Sequence, residues 1–207
     1  IEKNHNLIHI DKHSDLRFME SSFENSKEIL SFNQDKVIDF IENEIQANAD
    51  FIIPATIGDL IGDIYCCCNE ECFQKDNLIE ISSSEYKVYW KNSKKLFFQN
   101  INDLSNLDIN QISLEEKTIL DIDMDFFTYT KNDYTYHKTN IVNQLENTNF
   151  YNILNNSKII TIALEPFCCG NITECLSILE VFNEQIFKPN GLDIYEKVKQ
   201  KFFVEGN

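Results

Sequence analysis

The chain has 207 residues, 34 of them acidic and 18 basic, for a formal net charge of −16, with 43% hydrophobic residues and 16 Phe. That content of aromatics and branched aliphatics argues against a disordered chain and suffices for the core of one domain, residues 1–207. The negative balance argues against nucleic-acid binding, which needs a basic patch to neutralise phosphates, and no apolar run approaches the roughly 18 to 20 residues of a membrane-crossing helix.

In chain order, residues 6–11 read as a short apolar strand that breaks into polar residues at Lys12. Residues 34–47 place Val37, Phe40, Ile41 and Ile45 at helical spacing, with Asn33 as N-cap. Residues 51–53 are a short apolar run stopped by Pro54; residues 63–67 read as a strand, and residues 86–90 alternate as another, with Trp90 in the core. Residues 117–125 are a β-rich run ending in acids. Residues 140–154 read as a helix with Ile141, Leu145 and Phe150 on one side, 158–164 as an apolar strand, 172–187 as a helix and 192–203 as a final amphipathic helix. Short apolar strands alternating with helices predict an α/β domain around a mostly parallel sheet buried on both faces.

The seven Cys are odd in number, and no signal peptide is visible, which suits a reducing, cytosolic compartment. Cys66 and Cys67 fall in the apolar run 61–68 and read as small buried hydrophobes. A zinc cluster from Cys68, Cys72, Cys168 and Cys169 lacks the paired spacing such sites show.

Three predicted strands end in functional side chains, and in open α/β sheets that is where ligands bind. The first ends in Asp11, His13 and Asp15, spaced by two so that they point to one side. The second ends in Asp121 and Asp123, with Asp125 one alternation further on as a neighbour or helix cap; the third ends in Glu165 before Pro166. An Asp at a strand end often only shapes a turn or caps a helix. Five converging ligands, however, are too costly to desolvate without cations, and they suit two divalent metals about 3.5 Å apart. Mostly oxygen ligands with one imidazole lean towards Mn over Zn.

His9-Ile-Asp11-Lys-His13-Ser-Asp15 followed by Leu-Asp121-Ile-Asp123-Met-Asp-Phe-Phe resembles the arginase/deacetylase superfamily, closest to the peptide arginases, which convert peptidyl arginine to ornithine. The stretch 162–166 is similar to the family's late strand, and the motifs span residues 9–166. The resemblance implies a three-layer sandwich holding two Mn2+. Asp11 and Asp121 would bridge the metals, His13 and Asp123 would complete one shell, Asp15 would bind the other metal and accept a proton, and Glu165 would grip the guanidinium. The substrate would be an arginine-containing peptide, favoured over free arginine because no loop motif for an α-carboxylate and α-amine is visible.

Departures from the pattern are informative. The family supplies a further His ligand upstream, and this sequence opens on Ile1, so the expectation is that an N-terminal segment precedes it. His5 reads as lying at a strand entrance, and His9 as sitting about 6 to 7 Å below Asp11 inside the sheet, so neither is expected to fill that place. No His occurs in residues 16–136 to act as proton shuttle, and His137 reads as an inert surface residue. Glu174, three residues after Asn171, reads as part of a helix cap, residues 168–170 as a tight turn, and Asp59 and Asp63 as solvated turn residues. The acidic surface suits a cationic peptide, although acidity more commonly serves solubility. Two other functions compete. A deacetylase-like amide hydrolase would want a His-His pair, which is absent, and a non-catalytic arginine-peptide-binding module would hold one metal.

Overall fold

The computed structural model describes residues 5–13, 15, 52–57, 61–68, 96–101, 103–110, 112, 114, 117–128 and 138–204. The strands β1 (His5–Ile10), β2 (Ile61–Cys68), β3 (Leu96–Asn100), β4 (Thr118–Asp123) and β5 (Ser157–Ala163) form a five-stranded sheet in the order β3-β2-β1-β4-β5. Every pairing is parallel, so each connection must cross over the sheet rather than turn in a hairpin. This is an α/β fold around a parallel sheet.

β1, β2 and β4 are buried almost throughout, which their Ile, Leu and Cys content requires. β5 departs from the expected two-sided burial: it is a sheet edge, with Lys158, Ile159 and Thr161 exposed. Strand β3, at 96–100, was not anticipated. The expected strand at 86–90 with Trp90, the helix at 34–47 with Asn33, and Asp59, Cys72 and His137 lie outside the described residues.

The helices are α1 (Ile52–Ile57), α2 (Lys138–Leu145), α3 (Thr148–Asn156), α4 (Ile172–Phe182) and α5 (Tyr195–Val204). Pro54 does not stop its run: it lies in the first turn of α1, where a backbone N–H has no intrahelical partner to lose. The single helix expected over 140–154 is two. Asn147 breaks it by accepting the backbone N–H groups of Asn149 (2.9 Å) and Phe150 (3.1 Å), which caps α3. α4 continues as a π turn, Asn183–Phe187. There the buried Asn183 accepts the backbone N–H of Ile194 at 2.9 Å and so aligns the start of α5.

Ile141, Leu145, Phe150, Ile153 and Phe182 are fully buried beside Phe127, which meets Phe182 edge-on with ring centroids 5.0 Å apart. This cluster packs under the segment leaving β4, a 3-10 turn Met124–Phe127. The site-bearing backbone is thereby nailed to the core. Cys66, Cys67, Cys68, Cys168, Cys169 and Cys175 are free thiols. No helix among the described residues is long and apolar enough to cross a membrane.

Candidate metal centre

From β1 the sheet grows outwards through β2 to β3, then returns to the other side of β1 with β4 and β5. That reversal makes the carboxyl ends of β1 and β4 a topological switch point, where open α/β sheets place their ligand crevice. The pairing sets His9 opposite Asp121 and Ile10 opposite Ile122, so the two strands release their acidic tails side by side. β1 is followed by Asp11, His13 and Asp15; β4 ends at Asp123 and is followed by Asp125.

Strand alternation places His9 and Asp11 on one face. His9 Nδ1 lies 2.8 Å from Asp121 Oδ2, and its Nε2 lies 3.2 Å from Asp11 Oδ2. Thr161, the cross-strand partner of Asp121 on β5, donates its hydroxyl to Asp121 Oδ1. His13 stands nearer the mouth, with Nδ1 3.2 Å from Asp125 Oδ2 and 3.7 Å from Asp11 Oδ1. Asp123 accepts the backbone N–H of Asp125 at 3.1 Å, which starts the 3-10 turn and swings Asp125 back over the crevice. Lys12 reaches across to donate to Thr128 Oγ1 at 3.2 Å and joins the two tails.

Asp15 and Glu165 hold left-handed backbone conformations, φ 48° and 41°. Glu165 lacks the short side chain that eases this region, and such strain costs about 1–3 kcal/mol and gathers at functional sites. Its loop is well anchored: Glu165 O accepts from the backbone N–H groups of Cys168 (3.0 Å) and Cys169 (2.9 Å). Cys175, on α4, donates its thiol to Leu164 O. The tight turn expected at 168–170 is present, with Gly170 at φ 101°, and Asn171 caps α4 through the Glu174 N–H at 3.0 Å.

The electrostatics are those of an over-filled carboxylate site. Burial and the charges of Asp11, Asp125 and Glu165 push the Asp123 carboxyl up to about 10. Burial and Asp11 raise Asp15 to about 7. Burial raises Asp125 to about 6 against the pull of His13. Asp11 and Asp125 hold the His13 imidazole up at about 11. Burial alone would raise Asp11 and lower His9, but their close imidazole–carboxylate contacts reverse both: His13 and His9 hold Asp11 well below the carboxylate range, and Asp11 and Asp121 hold His9 well above its ordinary value.

A divalent cation fits this arrangement. The carboxylate oxygens of Asp11 and Asp125 are fully buried, yet none accepts a hydrogen bond among the described residues; their contacts are the looser ones to the imidazoles. The imidazoliums of His9 and His13 offset only part of the charge of the buried Asp11, Asp15, Asp121, Asp123 and Asp125, and burying the rest ionised is costly unless further positive charge arrives. Three groups bring ligand atoms within 4.8 Å of one another: His9 with Asp11 and Asp15, Asp11 with His13 and Asp125, and Asp125 with Glu165 and Cys168.

Of the residues picked from the sequence, Asp11, His13, Asp15 and Glu165 fall in these groups. Asp121 and Asp123 fall in none. Asp121 has both oxygens engaged, by His9 and Thr161, and Asp123 caps the turn while lying within the fields of Asp11, Asp125 and Glu165. The structure adds His9, Asp125 and Cys168. The period-two alternation His9–Asp11 and Asp121–Asp123–Asp125 carried the first two in plain sight; for Cys168 only its closeness to Glu165 in sequence was a signal. No family model matches the chain, and no curated protein does.

Proposed function

We propose that the chain is a metal-dependent hydrolase of guanidinium groups that converts peptidyl arginine to ornithine and urea. In this reading it has an arginase/deacetylase-like three-layer scaffold, two Mn2+ ions and a cytosolic home. The observation that carries the reading is the buried carboxylate excess at the ends of β1 and β4, where Asp11 and Asp125 are met by only loose imidazole contacts among the described residues. We assign Asp11, His13, Asp15 and Asp125 as residues that would hold the ions, Asp11 because it belongs to two of the ligand groups, and add Asp123, which belongs to none, because its carboxyl lies within the fields of Asp11 and Asp125. Asp121, with both oxygens engaged, stands behind them.

Bound cations supply Lewis acidity, lowering the pKa of water towards neutrality and offsetting developing negative charge. The protein's own groups do the rest. Glu165, in the group next to Asp125, grips the guanidinium through charge-assisted paired hydrogen bonds and holds its carbon over the ligands. Water adds to that carbon, the bond to the side-chain nitrogen breaks, and urea leaves. Asp15 takes the proton from the attacking water and passes it towards the departing amine. The crevice is strongly acidic, which favours an arginine in a cationic peptide.

The test is mass spectrometry of an arginine-containing peptide, and of free arginine, incubated with the Mn-loaded protein. Peptide conversion to the ornithine form, with loss of CH2N2 and abolished by Asp123→Ala, is the expected result. An unchanged peptide with two metals bound would overturn the reading in favour of amide hydrolysis; with one metal bound, in favour of a binding module.

A further inference from the structure

We infer that His9 is itself a metal ligand, held in position by Asp121 and Thr161, so that each side of the centre receives one imidazole. This deepens the metal-site reading above and rests on it.

Two of the ligand groups mirror each other around Asp11. One pairs it with His13 and Asp125, the other with His9 and Asp15. Each contains one imidazole, one carboxylate of its own and the shared Asp11. His9 is 1% exposed, too deep to be a surface group that happens to lie nearby. Its ring orientation is imposed from behind. Asp121 Oδ2 holds Nδ1 at 2.8 Å, and Asp121 is itself held through its other oxygen by the Thr161 hydroxyl. That line runs across β5, β4 and β1 and turns Nε2 towards Asp11 Oδ2, 3.2 Å away, in the group that Asp15 completes. Metal-binding imidazoles nearly always give their second ring nitrogen to a carboxylate or carbonyl, which fixes the tautomer and raises ligand basicity. Asp121 occupies that place for His9. Since each group of ligand atoms spans no more than 4.8 Å, one cation can touch all three members.

The competing arrangement is an imidazolium clamped between Asp11 and Asp121, donating from both nitrogens and binding nothing. NMR of the full chain separates the two. The probe is 15N-histidine-labelled protein titrated with 113Cd2+, and the readout is scalar coupling between cadmium and ring nitrogens. The expected result is two coupled histidines, one of which remains in the His13→Asn variant. Asp121→Asn should then weaken cadmium binding about 10- to 100-fold while leaving the His9 coupling in place. A single coupled histidine, lost in His13→Asn, with His9 keeping both ring protons, would overturn the inference and leave the proposed function standing. No coupled histidine at all would overturn both.

Discussion

Asp123 shows most clearly how the neighbouring acids and burial disfavour ionised carboxylates at the site. A carboxyl at about 10 and another, Asp15, at about 7 keep protons that an unfolded chain gives up near pH 4. A raised carboxylate pKa costs stability as pH climbs from the unfolded value to the folded one, because only the unfolded state can ionise freely. His13, held protonated up to about 11, pulls the same way above about pH 6.5. Asp11, shifted downwards, acts oppositely but only in acid. The metal-free protein should therefore melt lower at about pH 9 than at about pH 5. Cations displace those protons, so binding should release protons and tighten with pH. Thermal melts with chelator and with Mn2+ across that range check both points; a metal-free melting temperature that rises with pH would refute them. Glu165→Gln would keep the shape of the proposed guanidinium grip but remove its charge, a loss of about 1.5–3 kcal/mol, or roughly 10- to 150-fold in kcat/KM. Metal content should stay unchanged, and a fall in bound metal would instead make Glu165 a ligand.

At the scale of elements, the 3-10 turn after β4 decides where the acids point. Its Phe127 is 1% exposed and packs edge-on against Phe182 of α4. Phe127→Ala should cost about 3–5 kcal/mol of stability, measured by denaturant unfolding, and weaken metal binding because Asp125 sits on the same turn. Equal metal affinity in the two proteins would show that the turn does not position the site. The same turn explains what could be read in advance. Asp11, His13 and Asp15 were legible as polar residues spaced by two after a strand, although the chain bends at Lys12 and His13 and turns left-handed at Asp15, so that His13 and Asp15 join Asp11 in different groups. Asp125 was harder to place, since the chain stops being a strand at Asp123 and only the cap on the Asp125 N–H brings the next carboxylate round. From rise per residue His9 reads as lying below Asp11 inside the sheet, and the structure shows its imidazole reaching along the strand face to 3.2 Å from Asp11. The break at Asn147 and the helix through Pro54 were missed for the opposite reason: apolar periodicity ran on, while a cap and a first-turn position decided the outcome.

For the whole molecule, the sheet order concentrates acids at one crevice, and the chain as a whole carries −16. A field of that sign would draw the proposed cationic peptide in, and salt screens it over about 10 Å at 0.1 M. Raising ionic strength should lower kcat/KM for an arginine peptide several-fold with little change in kcat; a salt-independent kcat/KM would remove steering from the picture. Binding to the folded state alone should also raise stability, by about 2.7 kcal/mol when free metal stands at 100 times its dissociation constant. The most direct measurement is the metal content of the full chain after equilibration with Mn2+ and removal of excess. Two ions per chain, falling to one or none in Asp11→Asn with the fold retained by circular dichroism, is the predicted result. A folded wild-type chain that retains no ion would contradict the metal centre, and with it the hydrolase built on it.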